Sequence, residues 1–325
     1  GHGVITHDQA IADLFAYVEQ GVNTFDVGDI YTGTEEIVGV FLAAFAERNG
    51  KAKAGKLRVH TKFVPDLNAL EDLTRQDIRA IIERSLKRLG QERLNLVQFH
   101  WWDYAKGDFV QAGIYLEELR KEGLIESIGL TNFDCTHVQQ LLDAGVSVQS
   151  NQIQYSLLDP RPLNGMLELA QKNSMAIFCY GVLAGGLLAG SKPGEESTNR
   201  SHIKYRLIID DVGSEYYEAV LRLLDVMSVK YRTSAANVAV AFALQTPGVS
   251  SAILGPRNTN HIDELVELDN LKLTDKDYQQ LRALQDRLLE TNYGDIYSYE
   301  RDLNGPHGQI MKYNLNGMRA ATIPR

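Results

Sequence analysis

The sequence predicts an α/β protein of the (β/α)8 barrel class, lacking the first barrel strand at its N-terminus. Three observations carry that expectation. Short apolar segments alternate with helical patterns along all 325 residues, which implies a parallel sheet with helices outside it. Seven such segments are present, fitting either a barrel short of one strand or an open doubly wound sheet. No GxGxxG follows any of them ("GHGVIT" begins correctly but ends in Thr6), which counts against a dinucleotide-binding doubly wound sheet and favours the barrel.

The strand candidates, in order, are 22–27 "VNTFDV", 57–64 "LRVHTKFV", 94–100 "LNLVQFH", 126–131 "ESIGLT", 147–153 "SVQSNQI", 175–181 "MAIFCYG" and 250–254 "SSAIL". Among the helical patterns, 74–90 "TRQDIRAIIERSLKRLG" is the clearest. Ile78, Ile81, Ile82, Leu86 and Leu89 share one face, Thr74 and Asp77 form an N-terminal capping pair, and Gly90 is the stop. "HDQAIADLFAYVEQG", "HVQQLLDAG", "SAANVAVAFALQTPG" and "TDKDYQQLRALQDRLL" behave in the same way. The first helical pattern starts near residue 7, which leaves only "GHGVIT" ahead of it. A single domain over 1–325 with a C-terminal tail from about residue 291 is expected.

Composition narrows the function. The net charge of −9 and the lack of a basic run argue against nucleic acid as a partner. The longest apolar stretch, 174–190, is interrupted by glycines and too short for a membrane span. Cys135 and Cys179 form no CxxC pair, and nothing at the start reads as a signal peptide, so a cytoplasmic location is expected. No HxH strand motif occurs and His100 has no ligand at metal spacing, so no metal is expected.

In a barrel the reactive groups gather at the C-terminal strand ends. Three successive strands end in Asp26 with Tyr31 in the following loop, in Lys62, and in His100. A phenol with a solution pKa near ~10 donates a proton poorly at neutral pH unless a cation stabilises its phenolate. Lysine supplies the cation, the carboxylate keeps the lysine charged and in place, and a neutral histidine orients a carbonyl oxygen or joins the relay. Taken singly, Asp26 reads as a cap or a structural partner, and Lys62 or His100 as a structural ion-pair group. Their co-occurrence favours a proton-transfer site.

The stretch "GVNTFDVGDIYTGTEEIVG" resembles the strand–loop–helix signature of the aldo-keto reductases, with "HTKF" and "VQFHWWD" similar to that family's lysine and histidine segments in the same order. The resemblance runs from about residue 1 to 268. It implies that Asp26, Tyr31, Lys62 and His100 are catalytic and that the cofactor is NADP(H), with NAD(H) as the alternative. "IGLTNF" and "NQIQYS" resemble segments whose Thr131, Asn132 and Gln152 would bind the nicotinamide carboxamide. "CYGVLAGGLLAG" resembles the segment in which Tyr180 would stack on the nicotinamide ring while Gly181 and Leu183 line the pyrophosphate path. "ILGPRNTNHIDEL" resembles the phosphate and adenine clamp, which places Gly255, Arg257, His261 and Glu264 on the cofactor. Arg257 would chelate a 2′-phosphate and so favour NADP(H). Trp101 and Trp102 would form part of an aromatic substrate wall, with packing on a neighbouring loop as the plain alternative. Gly28 stands where the family usually has Ala, and Leu265 where it often has Asn. The expected activity is reduction of an aldehyde or ketone to an alcohol, or the reverse, on a small-molecule carbonyl substrate. The alternative is a non-catalytic NADP(H)-binding sensor or interaction subunit on the same fold.

Overall fold

The computed structural model describes residues 6–31, 33–190, 200–256, 259–290 and 294–315. Among them the chain forms two compact units, one of residues 6–151 with 312–315 and one of residues 152–311.

In the first unit, strands β1 (Thr24–Asp26), β2 (Arg58–Phe63), β3 (Leu94–Phe99) and β4 (Ile125–Thr131) are parallel. Asp26 pairs with His60, Lys62 with Gln98, and Gln98 with Gly129. Because side chains alternate along a strand, this register puts Lys62 and Gln98 on one face, level with each other. β5 (Val148–Gln154) carries the chain out of the first unit into the second. There β6 (Ala176–Tyr180) and β7 (Ser251–Ala252) are again parallel. Hydrogen-bonded neighbours follow chain order from β1 to β7. All seven predicted segments are therefore strands. The two terminal ladders are shorter than their apolar runs, yet the extended path goes on past them. Val27 N–H still bonds His60 C=O at 2.8 Å, and Ile253 N–H bonds Cys179 C=O at 2.7 Å.

The helices follow from their capping and their apolar faces. Thr74 accepts from Asp77 N–H while the Asp77 carboxylate bonds back to Thr74 N–H, so helix Arg75–Leu89 starts on a full capping box. It stops at Gly90, whose φ of 63° lies in the left-handed region. Ile78, Ile82, Leu86 and Leu89 are buried, at roughly 1.5–3 kcal/mol each. Ile81 lies at the edge of that face and is only half-buried. Helix His7–Glu19 is capped by Thr6 and sets Phe15 edge-on to Phe41 at 5.1 Å, over a cluster of Phe25, Phe41, Phe45 and Leu57. That cluster holds β1 in place beneath the loop that bears Tyr31. Gly129 has a packing cause: a Cβ there would lie 2.4 Å from Ser150 Oγ.

Candidate active site

The first unit brings Asp26, Lys62 and Tyr31 together. Lys62 is buried; its ammonium pairs with the Asp26 carboxylate and donates to Val27 C=O at 2.8 Å. Gln98, level with Lys62 in the sheet, donates from Nε2 to the other Asp26 oxygen at 2.6 Å. Both carboxylate oxygens are thereby satisfied and the acid is oriented. The ammonium lies 5.2 Å from the centroid of the Tyr31 ring, and Tyr31 is 45 % exposed. Buried anchor and reachable phenol sit side by side. Burial pulls the Lys62 pKa down, but Tyr31 and Asp26 more than reverse this, so its proton is held more tightly than that of an ordinary lysine.

His100 directly follows β3, where its backbone N–H bonds Phe63 C=O at 3.0 Å. Its ring Nδ1 is 3.0 Å from Thr131 C=O. A carbonyl can only accept, so Nδ1 carries the hydrogen and, in the neutral ring, Nε2 is an acceptor. Trp102 packs edge-on against this imidazole at 4.3 Å and donates from its indole to Pro65 C=O at 3.0 Å. Trp101 turns the other way. It is buried edge-on to Phe99, with its indole N–H on Lys106 C=O at 3.1 Å. The Trp102 ring thus packs on His100 and the Trp101 ring on Phe99. Thr131 and Asn132 are buried at the end of β4, and Asn132 has φ 63°, a left-handed conformation that a non-glycine residue adopts at some cost.

Behind Tyr31 lies a clamp that sequence reasoning missed. Arg88 donates to Asp29 C=O at 3.2 Å and to Glu35 Oε2 at 3.1 Å, and pairs with Glu36 at 3.1 Å. Thr61, facing away from Lys62 on β2, donates to Glu35 Oε1 at 2.6 Å. Burial, then the neighbouring Glu35, push the Asp29 pKa up to about 7 against the opposing pull of Arg84. The usable signals were Gln98, two residues before His100 and so on the same strand face, and the acids of "GDIYTGTEE" flanking the tyrosine.

In the second unit, Gln152 is buried and β6 ends on Tyr180. Gly181 follows with φ 71°, and a Cβ there would meet Tyr205 Oη at 2.1 Å, so this position requires glycine on two counts. Leu183 leads into the short 3-10 helix Ala184–Ala189 and accepts from Gly186 N–H at 2.9 Å. Gly255 is exposed. Arg257 lies outside the described residues. His261 ends a 3-10 turn and Glu264 lies in helix Ile262–Glu267, but their side chains are outside the described set.

Residues 1–286 match the Aldo/keto reductase family, and the chain belongs to that family, an oxidoreductase family with the (β/α)8 fold of which seven strands are described here. Its relatives include the aldo-keto reductase YhdN of Bacillus subtilis, 25 % identical over 88 % of this chain and 86 % of that one. Another is the NADH-specific methylglyoxal reductase of Escherichia coli, 25 % identical over 69 % of each chain. Among solved structures, the glycerol dehydrogenase of Gluconobacter oxydans superposes with a TM-score of 0.73 over 88 % of each chain at 23 % identity, a likeness of fold. Among the described residues, no helix is long and apolar enough to cross a membrane and no cluster could hold a metal ion.

Proposed function

We propose that this chain reduces a small aldehyde or ketone to the alcohol, or runs the reverse, with NADP(H) as its preferred cofactor and NAD(H) as the alternative. The observation that carries this reading is the buried Asp26–Lys62 pair with its ammonium 5.2 Å from the ring of reachable Tyr31. The nicotinamide, when bound, supplies or accepts the hydride. The chain's own residues handle the proton. Tyr31 donates its hydroxyl proton to the substrate oxygen, and the phenolate left behind lies beside the Lys62 ammonium, which Asp26 and Gln98 hold in place. His100, with Nδ1 committed to Thr131, presents an acceptor at Nε2 while neutral. In that state it takes a hydrogen bond from a hydroxyl, which suits the alcohol or the phenol; it donates to a carbonyl oxygen only when protonated.

The polar set fits a nicotinamide cofactor. Asn132, held at positive φ, and Thr131 before it lie buried at a strand end and bear the amide and hydroxyl that a carboxamide can bond. Gly181 keeps the backbone beside Tyr180 free of a side chain. With Gln152, Leu183, Gly255, His261 and Glu264 they make up the cofactor set, and Trp102 is the nearer candidate for a substrate wall. The preference for the phosphorylated cofactor rests on Arg257; an NADH-specific relative makes it worth testing first. If Arg257→Ala leaves the NADPH dissociation constant unchanged, the preference has another source. Relatives called reductases and dehydrogenases favour turnover over a sensor role.

The deciding experiment measures NADPH binding by fluorescence, together with NADPH oxidation on an aldehyde panel, for wild type and Tyr31→Phe. Binding is expected to persist while turnover falls by about 10²–10⁴. Wild-type turnover in the variant would sink the proposal.

A further inference from the structure

The second unit contains a buried charged cluster that the proton chemistry does not use. Arg161 and Glu300 are almost completely buried and form a two-pronged pair at 2.9 and 3.2 Å. Asp159 holds the same guanidinium at 2.8 and 2.7 Å, and Gln154 donates to Asp159 at 2.7 Å. Lys204 comes last in this chain of charges, with Nζ 3.5 Å from Glu300 Oε1. Its ammonium lies 5.2 Å from the Tyr180 ring centroid and 5.8 Å from those of both Tyr205 and Tyr297, so three aromatic rings add to the carboxylate it shares with Arg161. Burial lowers the Lys204 pKa, Glu300 opposes that, and Arg161 adds to it. This is a cation with incomplete compensation.

We propose that Lys204 is a positioning residue which, through the ring of Tyr180, makes the site prefer the reduced, uncharged nicotinamide over the oxidised, cationic one. The proposal rests on Tyr180 stacking against the nicotinamide. A ring stacked on Tyr180 lies about 3.5 Å from it, which brings a charge on that ring within roughly 9 Å of the ammonium in a poorly screened environment. The oxidised ring carries a positive charge and is repelled. The reduced ring is neutral and meets no such penalty. Glu300 and Arg161 fix the ammonium over the ring from a part of the chain far from it in sequence, so the bias is built into the folded unit. It acts on binding and on the position of the redox equilibrium on the protein, with no proton or bond involved.

The test is a set of dissociation constants for NADPH and for NADP+, by fluorescence titration, in wild type, Lys204→Met, Lys204→Arg and Tyr180→Leu. Lys204→Met is expected to shift the NADP+/NADPH affinity ratio about twentyfold toward NADP+, and Lys204→Arg to retain the wild-type ratio. A general packing defect would weaken both forms alike and would not be rescued by arginine. If Lys204→Met leaves the ratio unchanged while Tyr180→Leu weakens both forms, the role of Lys204 is refuted and the stacking stands. If Tyr180→Leu leaves both constants unchanged, the stacking itself is wrong and the proposal goes with it. Lys204→Gln takes the place of the methionine variant if thermal melting shows that variant unfolded, and the same ratio decides.

Discussion

Each unit contains a lysine, buried at Lys62 and half-buried at Lys204, whose ammonium lies 5.2 Å from a tyrosine ring, and the two differ in the direction their proton affinity is moved. Lys62 is raised and Lys204 is lowered. The difference lies in the neighbouring charges: Tyr31 first and then Asp26 outweigh burial at Lys62, whereas at Lys204 Glu300 is opposed by Arg161 and burial prevails. Asp26 holds Lys62 with one oxygen and accepts from a neutral amide, Gln98, with the other. Glu300 is gripped by Arg161 from two sides before Lys204 reaches it at 3.5 Å. The tyrosines differ as well: Tyr31 is exposed, whereas burial drives the Tyr180 hydroxyl well above the range in which a phenol titrates. The same pair of residue types is thus proposed to serve proton transfer in one unit and electrostatic bias in the other. Distance from ammonium to ring does not distinguish them; the charges around each ammonium do.

The comparison can be broken most forcefully at Lys62. Lys62→Met removes the charge beside Tyr31 and is expected to lower turnover by on the order of 10³, with Asp26 left facing an apolar chain. Steady-state kinetics and a urea titration check the two effects separately. Full activity would show that the ammonium is structural. Next in size is Glu300→Gln, which leaves Arg161 with Asp159 alone in a buried site and is expected to cost about 3 kcal/mol in urea unfolding while leaving Tyr31 chemistry intact.

Asp29 tests the surroundings of Tyr31 through pH. Its folded pKa of about 7 lies above its unfolded value near 3.8, so the folded state holds a proton that the unfolded state has lost between these limits. Stability contributed by that proton is present below pH 4 and is lost as pH rises toward 7. Asp29→Asn removes the dependence and is expected to gain on the order of 2–4 kcal/mol relative to wild type at pH 8 compared with pH 4. Equal pH slopes for the two proteins would rule out a protonated Asp29. The smallest effect is at Asn132, where glycine relieves the positive φ. Asn132→Gly is expected to change the stability by no more than about 1 kcal/mol, as relief of the left-handed φ is offset by loss of a buried polar side chain, yet to weaken NADPH binding, which calorimetry and titration read in one variant.

Much of the first unit was legible in the residues. Thr74 with Asp77 and the stop at Gly90 bounded a helix that has those ends. The apolar runs marked all seven strands, because burial of a strand leaves a local trace in composition. Asp26, Lys62 and His100 could be placed near one another since each closes a strand, and parallel strands in chain order bring their ends to the same side. Trp101 and Trp102 looked alike as neighbours after His100; only packing turned one onto Phe99 and left the other beside the imidazole. Gln98 and Arg88 were overlooked for a related reason. Neither residue type announces chemistry, and their work is done across gaps of 72 and 53 residues to Asp26 and Glu35.

The sequence by itself determined the family, the strand and helix order, and which side chains stand at the strand ends, since periodicity, capping and motif spacing are local and survive without a fold. Tertiary structure alone decided the His100 tautomer, through a carbonyl 31 residues away, and seated Lys204 on Tyr180 under an Arg161–Glu300 pair spanning 139 residues. Such pairings depend on where distant backbones meet, and charge itself has no period by which the chain could announce them.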